Sequence, residues 1–360
     1  VSSHYLKYGT IITPLGIGEQ PHLKALKANQ SGIEPTLGRG YNGENWPLSQ
    51  INFLQNNRFH HLLALACDDL NTKVAPSVLC SSRTLVIVST TKGDLQALAD
   101  DPFHATRSIL KEKLGIQNSP IIISNACITG VLAINLASDY LKSGQYDDII
   151  VFGIDVISDF IVFGFQSLFA LSDEPSQPFD ATRKGITLGE ACGVVILSNS
   201  RTDEFCVCYC GGATSNDANH ISGPSRTGEG LVRAVSKAIE RSAIQSNSID
   251  FISAHGTGTI FNDEMECIAF NRLGLNDVPL NSFKGYFGHT LGAAGIIEVI
   301  ASMLSMENKL LFKSLGFNNQ DSQFTLNILK ENQAAPVQTI LKTASGFGGG
   351  NAALILKSLS

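Results

Sequence analysis

The stretch Pro120-Ile-Ile-Ile-Ser-Asn-Ala-Cys-Ile-Thr-Gly-Val-Leu-Ala-Ile-Asn-Leu-Ala-Ser-Asp-Tyr-Leu-Lys142 decides how this chain folds. Residues 120–124 read as a short buried strand, and apolar residues then recur at helical spacing to Lys142, with Gly144 as the stop. The turn between them carries Cys127 and Gly130. The same layout returns later in the chain. Val278-Pro-Leu-Asn-Ser-Phe283 reads as a strand, Lys284, Gly288 and His289 as a turn, and about Gly292 to Met306 as a helix. The ends of the two halves match as well. Gly189-Glu-Ala-Cys-Gly-Val-Val-Ile-Leu197 and Gly348-Gly-Gly-Asn-Ala-Ala-Leu-Ile-Leu356 are both glycine-rich turns leading into apolar strands. Uninterrupted Val/Ile/Leu strands such as 148–153 and 194–197 imply sheets covered on both faces. The expected fold is α/β: an internally duplicated α/β/α/β/α layered sandwich, with halves at residues 1–200 and 201–360 and a seam near 198–205. Residues 16–82 lack a strand–helix rhythm and are expected to cap the first half.

Composition narrows the function. The 360 residues are 43% hydrophobic and 16% charged, which suits a well-buried core and argues against disorder. A net charge of −6 gives no reason to expect nucleic acid, and an acidic protein partner would need a local basic patch. Of eight cysteines, Cys206, Cys208 and Cys210 share one strand face. No Cys or His pair completes a zinc site with them, so no metal is expected. The N-terminal residues show no signal peptide, and no run of about 18 apolar residues exists. The best candidate, 149–165, is broken by Asp155, Asp159 and two glycines. A cytoplasmic protein with no membrane span is the expectation.

Three islands carry the chemistry: Asn125-Ala-Cys127, Ala254-His-Gly-Thr-Gly-Thr259 and Lys284-Gly-Tyr-Phe-Gly-His289. A thiol with two imidazoles is the minimum kit for thioester chemistry, the sulfur carrying an acyl group and the imidazoles handling protons and charge. Cys127 lies where a strand gives way to a helix, and the N–H groups of a helix terminus favour thiolate, so a lowered pKa is expected. A buried Lys284 needs a carboxylate, and Glu266 is the expected partner, fixing the histidine-bearing loops. Asp263 reads as a possible helix N-cap.

With Pro178-Phe-Asp-x-x-Arg183, Gly189-Glu190 and Gly346-Phe-Gly-Gly-Gly-Asn351, these islands resemble the elongating β-ketoacyl-acyl-carrier-protein synthases of the thiolase superfamily. The likeness runs from about Thr10 to Lys357 with the motifs in order. It implies a thiolase-like fold, a homodimer and decarboxylative Claisen condensation of an acyl group on Cys127 with malonyl carrier protein, in fatty-acid or polyketide/polyene synthesis. It assigns His255 and His289 to the enolate formed on decarboxylation, with Lys284 close to the nucleophile and Glu266 and Asp263 supporting. Phe347 is implied as a gating aromatic whose N–H joins that of Cys127 in an oxyanion hole. Thr257, Thr259 and Ser222 are implied as contacts for phosphopantetheine, which arrives on the acyl carrier protein, so no resident cofactor is implied. The 145–165 stretch is the expected dimer interface.

Three departures from the family pattern stand out. The chain is some tens of residues shorter than a usual elongating synthase, so trimmed loops around the acyl pocket are expected. Gly350 replaces a common threonine, which should loosen the phenylalanine loop. Ile128 is bulkier than the usual alanine and should narrow the space beside the nucleophile. Degradative thiolases need a second cysteine near the C-terminus, and the last one here is Cys267. Initiating synthases pair one histidine with an asparagine, whereas the third island offers His289. A non-catalytic chain-length-factor-like partner subunit is the remaining alternative, and such subunits usually lose the nucleophile that Cys127 supplies.

Overall fold

The computed structural model describes residues 4–54, 56–97, 101–217 and 223–359. The first half contributes β1 (His4–Thr13), β2 (Thr84–Ser89), β3 (Ile121–Ile123), β4 (Asp148–Asp155) and β5 (Ala191–Ser198). The second contributes β6 (Cys206–Asn216), β7 (Phe251–Ser253), β8 (Leu280–Asn281), β9 (Thr339–Gly346) and β10 (Gly350–Ser358). In space they run β3-β2-β4-β5-β1 and β8-β7-β9-β10-β6. The same permutation occurs twice. In each half the first two neighbouring pairs are parallel and the last two antiparallel. Strands β1 and β6 then pair antiparallel, Tyr5 opposite Cys208 and Lys7 opposite Cys206, and fuse the halves into one sheet.

The helices are α1 (Arg58–Asn71), α2 (His104–Leu114), α3 (Thr129–Lys142), α4 (Asp159–Ser167), α5 (Glu229–Arg241), α6 (Ile260–Arg272) and α7 (Ala294–Asn308). Helices α3 and α7 fill the middle layer between the half-sheets, α1 and α2 cover the outer face of the first, and α5 and α6 that of the second. This layering explains why the strands are apolar without interruption. Along β4, Ile149 and Val151 point into the central core while Ile150, Phe152 and Ile154 point into the outer one. The middle helices meet at glycines. A Cβ on Gly130 would lie 2.9 Å from the Gly295 Cα, and one on Gly295 would lie 2.5 Å from the Val131 N. That close approach brings the starts of α3 and α7 together, one behind Cys127 and the other carrying Glu298.

Two expectations change, for residues 16–82 and for the apolar run. Residues 16–82 do not only cap the first half: within them, Phe59, Leu62, Leu63 and Leu70 of α1 build its outer core. Within the 145–165 stretch, β4 is an interior strand, paired with β2 on one side and β5 on the other; the sheet ends at β3, with three half-buried isoleucines, and at β8. Leu291–Asn308, rather than 149–165, is long and apolar enough to cross a membrane, and it is packed between the half-sheets. Cys206 is buried, while Cys208 and Cys210 are half-exposed and their side chains lie next to each other across the register slip at Cys210.

Candidate active site

The nucleophile elbow follows from its sequence. Ala126 takes a left-handed conformation (φ 45°), and the Thr129 hydroxyl closes the turn, accepting from Asn125 N at 2.8 Å and donating to Ala126 O at 2.5 Å. Cys127 is thereby set just ahead of α3. The hairpin between β9 and β10 lies against it, a Cβ on Gly346 falling 3.0 Å from Cys127 N.

His255 follows β7 on a loop whose N–H groups all find acceptors. Glu266 on α6 accepts from His255 N at 2.8 Å and Gly256 N at 2.6 Å. Asp263 accepts from Thr257 N at 2.9 Å, Gly258 N at 3.2 Å and Phe179 N at 2.7 Å. These two carboxylates therefore shape the loop through its backbone. Glu266 is not the ion partner of Lys284, and Asp263 is not the N-cap of α6. That cap is Thr259, whose hydroxyl accepts from Asn262 N. His289 follows Gly288 (φ 66°), and its N–H donates to Thr187 O at 2.6 Å.

The fold joins the three reactive groups. His289 Nε2 is 3.0 Å from the Cys127 sulfur, and the His255 and His289 rings meet edge to face at 5.3 Å between centroids. The sulfur and one nitrogen of each ring lie within 4.8 Å of one another, and all three residues are buried. Such a set could hold zinc, but the tautomers argue otherwise. The Lys284 ammonium approaches His255 Nδ1 at 3.3 Å, so Nδ1 accepts and the proton sits on Nε2. That nitrogen is then an N–H donor aimed into the site, suited to a developing oxyanion and not to a metal. His289 Nδ1 has no partner among the described residues, so its tautomer is free to change.

Lys284 also donates to His255 O at 2.5 Å and pairs with Glu298 on α7 at 2.7 Å. The other Glu298 oxygen pairs with a second buried ammonium, Lys342 on β9, at 2.6 Å. Sequence reasoning missed both Glu298 and Lys342. The signal was a lone charge inside an apolar run: Ile-Ile-Glu298-Val-Ile and Ile-Leu-Lys342-Thr-Ala.

Burial governs the titration. It pushes the Cys127 thiol up to about 12, against the opposing pull of Lys284; Asp155 and Glu298 push it further up, and the Phe347 N–H, bonded to the sulfur, draws it down. The expected lowering is overturned, because a thiol this deep loses more hydration than a helix terminus returns. Burial likewise drives His255 and His289 well below the usual histidine value, with Lys284 and Lys342 adding to the effect. The resting site is thus a thiol beside two neutral imidazoles.

Phe347 stacks on Phe165 of α4, centroids 5.5 Å apart. Its loop is held by three hydrogen bonds: Gly348 O accepts from the Asn216 side chain, and Gly349 O from Asp217 N and the Asn351 side chain. Ile128 turns into the central core and against Gly350, where a Cβ would fall 3.0 Å from its Cδ1. The two departures are complementary, one side chain filling the volume the other lacks. The Thr257 and Thr259 hydroxyls are 2.9 Å apart, Thr257 buried and Thr259 half-buried. Ser222 lies outside the described residues.

The N-terminal domain of the beta-ketoacyl synthase family matches residues 107–202, and its C-terminal domain matches residues 206–318. The chain belongs to the β-ketoacyl synthase family. It is 32% identical over 267 residues to the mitochondrial 3-oxoacyl-[acyl-carrier-protein] synthase of Arabidopsis thaliana, covering 69% of this chain and 58% of that protein. To the tetracenomycin polyketide synthase ketoacyl synthase alpha subunit of Streptomyces glaucescens it is 31% identical over 276 residues, covering 71% and 64%. The chain thus spans about three fifths of the length of these curated relatives. Among solved structures, a chain of the ketosynthase–chain length factor complex of Xenorhabdus doucetiae superposes with a TM-score of 0.88 at 25% identity, covering 99% of this chain and 98% of that one. A type II polyketide ketosynthase complexed with its acyl-carrier protein superposes at 0.87 over 100% of both chains; at 22% identity this likeness concerns the fold. As in these β-ketoacyl synthase relatives, the fold here is thiolase-like.

Proposed function

We propose that this β-ketoacyl synthase relative is an active β-ketoacyl-acyl-carrier-protein synthase, condensing an acyl group on Cys127 with a malonyl carrier protein. The observation that carries the reading is the Cys127 sulfur 3.0 Å from His289 Nε2, with the His255 N–H held toward the same point by Lys284. In the first half-reaction the sulfur attacks the acyl thioester. His289 takes its proton and returns it to the departing pantetheine sulfur. A thiol raised by burial needs that acceptor, and an imidazole kept neutral can supply it. In the second, the malonyl carboxylate leaves as carbon dioxide and its electron pair passes to the thioester oxygen. The two imidazole N–H groups stabilise the enolate, whose carbon attacks the acyl carbonyl. The N–H groups of Cys127 and Phe347 hold that oxyanion until Cys127 departs.

A paired nucleophile and base favour a catalyst over a chain-length-factor-like subunit. The Thr257 and Thr259 hydroxyls, beside the histidine loop, suit the amides of a phosphopantetheine arm carried in by the acyl carrier protein. The half-buried edge strand β3 suits pairing with a second copy, giving a homodimer, and the setting of the reaction is cytoplasmic. Relatives named as a 3-oxoacyl-[acyl-carrier-protein] synthase and as a polyketide synthase subunit match about equally, so fatty-acid and polyketide synthesis both fit.

The test is intact mass after incubation with an acyl carrier donor, followed by carbon dioxide release from malonyl carrier protein. An adduct on Cys127 and gas release sustain the reading. A chain that gains no adduct while supporting a partner synthase is the non-catalytic subunit.

A further inference from the structure

Lys342 stands in the middle of β9, fully buried in the run Thr-Ile-Leu-Lys-Thr-Ala. An ammonium is costly to bury and is retained there only with full partnership. Its Nζ is 2.6 Å from Glu298 Oε2 and donates to Thr343 O at 2.8 Å and to Ser253 O and Ala254 O at 3.2 Å each. Those last two carbonyls lead the chain into His255. A strut between β7 and β9 is not required at this point, because the parallel ladder already sets Ser253 opposite Lys342. Lys284 already neutralises Glu298 through Oε1, and Lys342 is the ion partner of Oε2. Lys342 therefore gives the buried Lys284–Glu298–Lys342 cluster a second cation, one more than its single carboxylate neutralises.

Resting on the reading above, we propose that Lys342 is a positioning residue for decarboxylation. Through its ion pair with Glu298 it holds the Lys284–His255 pair in register, and its charge favours the enolate over the precursor. The charged and titratable groups around the two imidazoles are Cys127 on the elbow, Lys284 on the short helix before His289 and Lys342 itself, with Glu298 on α7 between the two ammonium groups. Glu266 and Asp263 on α6 face the backbone of the His255 loop. On the far side of Cys127, Asp155 is already paired with Lys92. The thiol-to-thioester exchange creates its charge on sulfur beside His289, so it should depend on Lys342 far less than enolate formation does. Lys342 also contributes to holding both imidazoles neutral. Its loss should let them protonate at higher pH and move the acid limb of decarboxylation upward.

The experiment compares the full chain with Lys342→Met and Lys342→Gln, using acyl- and malonyl-pantetheine thioesters. Acyl-Cys127 is followed by mass and carbon dioxide release across pH 5–8. The expected result is acylation within about threefold of the parent, gas release slowed about 10- to 100-fold in both variants, and an acid limb displaced to higher pH. Glutamine keeps donors for the carbonyls without the charge. Restored gas release in that variant would make Lys342 a hydrogen-bonding strut and overturn the proposal. Equal losses in both half-reactions, or parent-like rates and pH profile, would overturn it too. If the parent releases no carbon dioxide, the condensing function itself falls and this inference with it.

Discussion

Replacing Gly350 with threonine should destabilise the protein, and trimming Ile128 to alanine should make that same threonine tolerable. The Gly350 backbone is not left-handed, so any penalty comes from volume. A Cβ there would sit 3.0 Å from Ile128 Cδ1 and 3.5 Å from both Ile128 Cγ1 and Asn125 Oδ1, and threonine adds two further atoms. Overpacking of this kind costs about 1–3 kcal/mol. Ile128 is 2% exposed in the central core, so Ile128→Ala alone should cost about 2–5 kcal/mol. If the two side chains compete for one volume, the double variant should be more stable than the sum of the singles by about 1–3 kcal/mol. Urea unfolding of the four proteins measures this directly. Gly350→Thr should also slow acylation, because it pushes on the residue next to Cys127, and Ile128→Ala should recover part of the rate. Losses that add to within about 0.5 kcal/mol would refute a shared volume.

Three further outcomes are expected. His255→Ala should slow decarboxylation by roughly two to three decades while sparing acylation of Cys127, whereas His289→Ala should impair both steps; identical profiles for the two variants would contradict the tautomer argument. Alkylation of Cys127 by iodoacetamide at neutral pH should slow in His289→Ala while exposed Cys80 reacts unchanged, and peptide mapping would expose the opposite result. Glu266 is raised by burial, with Asp263 adding to it, from about 4.5 to about 7. Its stabilising contribution is thus complete below pH 4.5 and lost as pH rises through 7, a swing on the order of 3 kcal/mol. Glu266→Gln should flatten stability against pH in that window, and an unchanged slope would assign it to other groups.

What the sequence discloses here tracks what local chain chemistry controls. The strand–elbow–helix at 120–142 is written in periodicity and in Gly144, and the fold duplication in two copies of that layout. The joining of Cys127 with His255 and His289 could be anticipated because each island carries its own turn chemistry. The partners of the buried charges could not. Glu266 lies on the helix after His255 and reads as the partner of Lys284, yet its oxygens accept from two loop N–H groups and from the Asn262 and Thr343 side chains. Lys284 instead reaches Glu298, an assignment fixed by the glycine-to-glycine crossing of α3 and α7. The thiol failed as a prediction for the same reason. A helix terminus is a local feature readable from sequence, whereas the hydration lost by Cys127 depends on two half-sheets and a hairpin closing around it. The failure also changes the chemistry expected of the site. A thiolate would have needed no base, while a buried thiol makes His289 serve both half-reactions and leaves His255, fixed by Lys284, to the enolate alone.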